Sequence, residues 1–440
     1  MSSVEAFLCE LCAKLRAHCV KGFAIAIAFL VVIPAGDLLL QPPKVHAQTD
    51  VYRQTIIPGA LYLQPNLPVD AHTYSMEPIT KDIRIERVSF ATQYGMRIPA
   101  IVYTSTHVTS RAPGILIVAG HGGDKTSWYE VYAGLLYASA GAVVVTYDPI
   151  GEDERNADRA SETRAHDAPI PGLRHPERLG GLMIQDVLQA ERYLRQRPDV
   201  DPSRTAILAY SMGTFHAAIA SALAGPHALI LSGGGNLDGP GEYWETGNKI
   251  NCQVAPWKAL HREMGPTAGL LLYQHLGQST STLIMNGEVD GLITKFNEEQ
   301  PWFDRLRAQI NAPPHNNLRV PDILFYPGIG HRPSWVNRDA ALWLSHQLHF
   351  PLWTDQQIKS FPTVTAHDWT QRTGVRIATQ YDTPTSEGGV EALDLHLPGL
   401  TRDQLQTVPD TIWQPDREKF ILESWITKAL AEEKSSTTKQ

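Results

Sequence analysis

Six short apolar runs without a charged residue constrain this chain most. They lie at 115–119, 142–146, 205–209, 228–231, 283–285 and 323–325. A strand with one face in water alternates apolar and polar residues, whereas an uninterrupted short run is a strand buried on both faces. Helical patterns separate the runs. Leu179, Leu182, Met183, Val187, Ala190 and Leu194 recur at three- and four-residue spacing until Arg197-Pro198, where proline stops a helix. Ala217, Ala218, Ala220, Ala222 and Leu223 form a second such stretch. Segments 82–90 and 97–103 read as an antiparallel pair across Gln93-Tyr94-Gly95. Buried strands alternating with helices imply an α/β fold, a mostly parallel central sheet flanked by helices. Ligands in such sheets bind beyond the C-terminal ends of the strands, so chemistry is expected just after the runs.

The 440 residues are 43% hydrophobic and 19% charged, enough apolar material for a sizeable core. The formal net charge is −8, and no Lys/Arg run is interleaved with aromatic residues, which argues against a nucleic-acid partner. Lys14, Arg16 and Lys21 precede an apolar stretch at 22–36, followed by Val45-His46-Ala47. A basic region, an apolar region and small residues at −3 and −1 read as a signal peptide, 1–47, cleaved after Ala47. Its alternative is an uncleaved anchor helix, the one case in which a membrane is a partner. Secretion or a periplasmic location follows either way. Cys9, Cys12 and Cys19 fall in the removed segment, so Cys252 alone remains and no intrachain disulfide is expected. Residues 48–81 read as an irregular lead-in, 82–350 as the catalytic domain, and 351–440 as a C-terminal extension with a polar tail. The extension carries Trp353, Trp369, Trp413 and Trp425, so it is expected to pack on the core. Residues 233–277, with Tyr243, Trp244, Trp257 and Tyr273, read as a helical insertion covering the site or as an ordinary long connection.

The chemical signal is Ala209-Tyr210-Ser211-Met212-Gly213, where an apolar strand runs into a serine between small residues and a helix follows. A nucleophile on such a turn is presented at the top of the sheet, and small neighbours permit close backbone approach. Ser211 then needs a base, and the base needs an orienting carboxylate. After the run at 283–285 comes Asn286-Gly287-Glu288-Val289-Asp290-Gly291, in which Asp290 is the expected acid and Glu288 the lesser candidate. After the last run comes Gly328-Ile329-Gly330-His331, and His331 is the expected base. The chain order is serine, acid, histidine, the order found where a serine stands on such a strand-to-helix turn of a parallel sheet. For the developing oxyanion, the loop Gly120-His121-Gly122-Gly123 supplies one backbone N–H and Met212 the other. His121 is the first choice and Gly122 the second. Asp148, His175 and Glu177 fit no standard metal-ligand spacing, so no metal is expected.

Together these motifs resemble the α/β-hydrolase superfamily, within it the dienelactone-hydrolase and acetyl-xylan-esterase-like branch. Two more stretches carry the resemblance. Asp148-Pro149-Ile150-Gly151-Glu152-Asp153-Glu154-Arg155 is similar to a stretch of acetyl-xylan-esterase-like proteins, and Asp199-Val200-Asp201-Pro202-Ser203-Arg204 to the usual approach to the nucleophile strand. Dienelactone hydrolases use a cysteine nucleophile, where this chain has Ser211. The resemblance implies a serine hydrolase of carboxylic esters, acetyl esters of carbohydrates among them, with a small-molecule or carbohydrate substrate and no cofactor. A serine peptidase of the prolyl-oligopeptidase type is one alternative, although the lead-in is too short for its propeller. A non-catalytic binding protein on the same scaffold is the other.

Overall fold

The structure, a computed structural model, describes residues 51–239, 249–291, 296–312, 317–375, 377 and 391–437. The expected signal segment lies outside the described residues, as do Tyr243 and Trp244. Nine strands make the main sheet: β1 His72–Pro78, β2 Ile83–Ala91, β3 Arg97–Ser105, β4 Ala112–Val118, β5 Val143–Tyr147, β6 Val200–Tyr210, β7 Ala228–Ser232, β8 Ser281–Gly287 and β9 Asp322–Tyr326. The described helices of eight or more residues are α1 Trp128–Ser139, α2 Glu177–Gln196, α3 Met212–Ala224, α4 Ala255–Met264, α5 Ala268–Leu276, α6 Phe296–Asn311, α7 Arg338–Leu348, α8 Ala366–Thr373 and α9 Leu422–Thr437.

The strand order is β1-β2-β3-β5-β4-β6-β7-β8-β9. The first three strands and β5 are joined by antiparallel pairings, and every pairing from β5 through β4 to β9 is parallel. Alternate side chains of the central strands feed opposite cores, as the two-residue period of a strand requires. Leu116 and Val118 of β4 join Ile207 and Ala209 of β6 in a core roofed by α2, α3 and α4 to α6. Ile115 and Ile117 join Ala206, Leu208 and Tyr210 in the other core, under α1 and α7. This double burial is why those runs carry no polar alternation. The chain leaves β4 for β5 on one side and returns to β6 on the other, so β4 and β6 form a topological switch point. Val118 of β4 pairs with Ala209 of β6, which brings the loops after both strands out together.

One segment departs from the sequence reading. The expected irregular lead-in contains helical turns over Tyr52–Ile56 and Ile57–Ala60 and the edge strand β1. Six of the seven β1 residues are exposed, so no apolar alternation marks the strand, which is built by pairing with β2. The segment 233–277 holds α4 and α5, which pack on α2 and α3 at the flank of the sheet. In the C-terminal segment, Trp353, Trp369, Trp413 and Trp425 are all buried.

Candidate active site

Three loops at the C-terminal ends of β6, β8 and β9 bring together the three residues expected from the sequence. Ser211 sits between β6 and α3 with φ 52° and ψ −121°, a conformation that costs a non-glycine residue of order 1–3 kcal/mol. The turn is fixed from both sides. Ser211 N–H donates to Ser232 O at 2.9 Å, and the Thr214 hydroxyl donates to Ser211 O at 2.6 Å. The small residue at 213 is required, because a Cβ there would lie 2.4 Å from Ala119 O.

The acid and histidine loops are built as a pair. Gly287 ends β8 beside Tyr326 of β9. Glu288 N–H donates to Tyr326 O, and Val289 N–H to Ile329 O. A Cβ at 287 would lie 2.0 Å from Ile329 O, so only glycine allows the two loops to meet. Asp290 is buried and accepts from His331 Nδ1 at 2.7 Å, while His331 Nε2 lies 2.8 Å from Ser211 Oγ. With Asp290 ionised, Nδ1 carries the proton and Nε2 faces the serine as an acceptor. Tyr210 steadies the ring: its hydroxyl donates to His331 O at 2.8 Å, and the two ring centroids are 5.0 Å apart. Glu288, the lesser candidate for the acid, lies half-buried and makes no hydrogen bond to His331.

The loop 120–123 comes within reach of the same turn, since a Cβ on Gly120 would lie 3.2 Å from Ser211 Cβ. Among the described residues, neither the His121 amide nor the Met212 amide donates to a carbonyl. Gly122 takes φ +80° and packs against Arg164. The His121 side chain points to Asp167, with Nε2 and Oδ1 2.8 Å apart. Burial pushes its imidazole pKa down, partly offset by that carboxylate.

Asp148, His175 and Glu177 do not converge. His175 lies 3.4 Å from Glu177, while Asp148 belongs to a buried cluster in which the Lys125 ammonium meets Asp148 at 2.5 Å, Glu154 at 2.8 Å, and Asp153. Burial opposes the charge of Lys125, but the three carboxylates hold its pKa well above the ordinary lysine value. Glu154 also accepts from the Thr407 and Val408 amides at 2.8 Å each, and its backbone carbonyl accepts from Trp413 Nε1. The Asp148 to Arg155 stretch therefore ties the C-terminal segment to the loop after β5. Sequence reasoning gave it no such task, because its partners lie some 250 residues away.

The sheet order and the strand-to-helix turn are those of the α/β-hydrolase fold. Residues 60–231, which include Ser211 but neither Asp290 nor His331, match the family model described as acetyl xylan esterase (AXE1). No curated protein matches. Among solved structures, the chain is similar to the acetyl xylan esterase from Paenibacillus sp. R4, at 17% identity over 69% of this chain and 99% of that one, TM-score 0.48. It is similar to acetyl xylan esterase 1 from Thermoanaerobacterium sp. JW/SL YS485, at 17% identity over 70% and 94%, TM-score 0.45. A putative dienelactone hydrolase from Klebsiella pneumoniae subsp. pneumoniae MGH 78578 is similar at 14% identity over 61% and 98%, TM-score 0.41. The match to the acetyl xylan esterase family model covers less than half of the chain.

Proposed function

We propose that this chain is an exported serine esterase that removes acyl groups, acetyl among them, from carbohydrate or other small-molecule esters through an acyl-enzyme. The observation that carries the reading is one imidazole, His331, held between a buried carboxylate and a hydroxyl on a positive-φ turn. Ser211 Oγ attacks the ester carbonyl carbon as its proton passes to His331 Nε2. Asp290 stays ionised and stabilises the imidazolium that forms. The amides of His121 and Met212 donate to the oxyanion, where charge develops in the transition state. Collapse expels the alcohol, which takes the proton from Nε2. Water then attacks the acyl-enzyme with His331 as base, releasing the acid and restoring Ser211.

The acetyl and carbohydrate parts of the proposal rest on the family match over 60–231. Export rests on the basic and apolar pattern before Val45-His46-Ala47 and gives Gln48 as the mature N-terminus. The test is a panel of p-nitrophenyl acetate, butyrate and octanoate, acetylated xylo-oligosaccharides and peptide p-nitroanilides. Ester hydrolysis that Ser211→Ala lacks supports the proposal. Cleavage of the anilides without the esters favours a peptidase, and inertness toward all of them favours a binding scaffold.

A further inference from the structure

Behind the loop 120–123, three separate segments place four metal-ligating side chains around one point. They are His121 after β4, His166 and Asp167 on the turn Ala165–Asp167, and Cys252 on the turn Ile250–Val254. Their donor atoms all lie within 4.8 Å of one another. Asp167 Oδ1 is 2.8 Å from His121 Nε2, 3.5 Å from Cys252 Sγ and 3.9 Å from His166 Nε2. Tetrahedral zinc, with bonds of about 2.0–2.3 Å, sets its donor atoms about 3.3–3.7 Å apart. Two of the three distances already fall close to that range, and the third needs an opening of about half an ångström.

A second observation points the same way. His166 is 1% exposed, and its Nε2, aimed into the cluster, has no hydrogen-bond partner among the described residues. Its other ring nitrogen lies 3.2 Å from Ile150 O. With Nδ1 donating to that carbonyl, the Nε2 lone pair is left facing the cluster, the arrangement that orients metal-bound histidines. An unpaired buried nitrogen costs free energy that a bound cation would recover.

We propose that His121, His166, Asp167 and Cys252 form a tetrahedral site for a divalent soft or borderline cation, zinc above all. One thiolate, one carboxylate and two neutral imidazoles suit zinc and disfavour the oxygen-seeking calcium and magnesium. The thiolate and carboxylate together cancel the charge of the ion, so the neighbouring Arg164 and Lys249 face a neutral centre. Binding transfers the thiol proton to solvent, and the ion takes its place beside Asp167. With all four positions filled by the protein, the site is structural. It anchors His121, whose backbone adjoins the Ser211 turn, without entering the esterase chemistry.

The test titrates metal-free protein with zinc and with cobalt(II), followed by calorimetry and by the visible spectrum. The parent should bind one ion per chain, with a thiolate-to-cobalt charge-transfer band. Cys252→Ser should abolish the band and weaken zinc by roughly 10²-fold or more. Asp167→Asn, a milder change at a half-buried side chain, should weaken zinc while the protein stays folded by circular dichroism. Ser211→Ala should bind zinc as the parent does, which separates this site from the esterase reading. A folded parent that takes up no zinc at micromolar concentration would overturn the proposal. So would binding that survives unchanged in both Cys252→Ser and Asp167→Asn.

Discussion

Asp290→Asn changes one atom of the site and leaves its volume intact. Asp290 Oδ2 accepts from His331 Nδ1 at 2.7 Å, and its side chain is fully buried, so no solvent can take over the role. An amide at 290 that turns its N–H₂ toward the ring makes Nδ1 the acceptor and moves the proton to Nε2. That nitrogen, 2.8 Å from Ser211 Oγ, then presents a proton where a lone pair is needed. In the serine-histidine-aspartate arrangement the wrong tautomer costs a factor of about 10⁴ in kcat, which is about 5.4 kcal/mol at 1.36 kcal/mol per decade. KM should change little, because Asp290 acts through His331 and not on the substrate. The assay is steady-state hydrolysis of p-nitrophenyl acetate, with thermal unfolding as the control for folding. Glu288→Gln serves as the comparison. A folded Asp290→Asn enzyme within tenfold of the parent, or a larger loss in Glu288→Gln, refutes the reasoning.

Gly287→Ala should cost about 1–3 kcal/mol of stability and a larger share of kcat, because the new methyl group collides with Ile329 O and separates the acid and histidine loops. Parental activity and melting temperature together would contradict this. Lys125→Met removes the cation from three buried carboxylates and should destabilise by about 3–5 kcal/mol, read as a shift in the urea midpoint. An unchanged midpoint would dismiss the cluster as a structural tie. Burial raises the Glu191 carboxyl to about 7, and Arg195, 2.6 Å away, offsets only part of that cost. The unfolded chain releases this proton near 4.3, so Glu191 withdraws up to about 4 kcal/mol of stability as pH rises through the window from there to 7. Glu191→Gln should therefore gain on the parent across that window in urea unfolding at a series of pH values, and a constant difference would rule the assignment out.

Much of the site is legible in the sequence because each chemical residue sits within a few positions of a buried strand. Double burial erases polar alternation from β4, β6, β7 and β8, and their ends point to the Ser211 turn, the Asp290 loop and the loop 120–123. β9 is only half-buried, yet its Ile323-Leu324-Phe325 run still points to His331. Edge strand β1 is hidden by the opposite condition: with its side chains in solvent, HTYSMEP carries no periodic signal. The four-residue cluster around Asp167 is hidden by chain separation, since positions 121, 166–167 and 252 belong to three separate segments that only the fold brings together. The buried Lys125 network is unreadable for the same reason, although all of its acids lie in one short stretch. Charge in a sequence suggests solvent, and only packing shows Lys125 and Asp148 fully buried.

If the proposed mechanism holds, Ser211 becomes acylated during turnover. Incubation with a fluorophosphonate followed by peptide mapping tests it most directly, because the reagent bonds only to a serine whose oxygen is activated by a base. One adduct per chain is expected, on the peptide containing Ala209-Tyr210-Ser211-Met212-Gly213. The adduct should be absent in Ser211→Ala, and absent or slowed by orders of magnitude in His331→Ala, since the two residues act as a unit. A folded parent that hydrolyses p-nitrophenyl acetate but carries the adduct on another serine, or resists the reagent altogether, contradicts the claim.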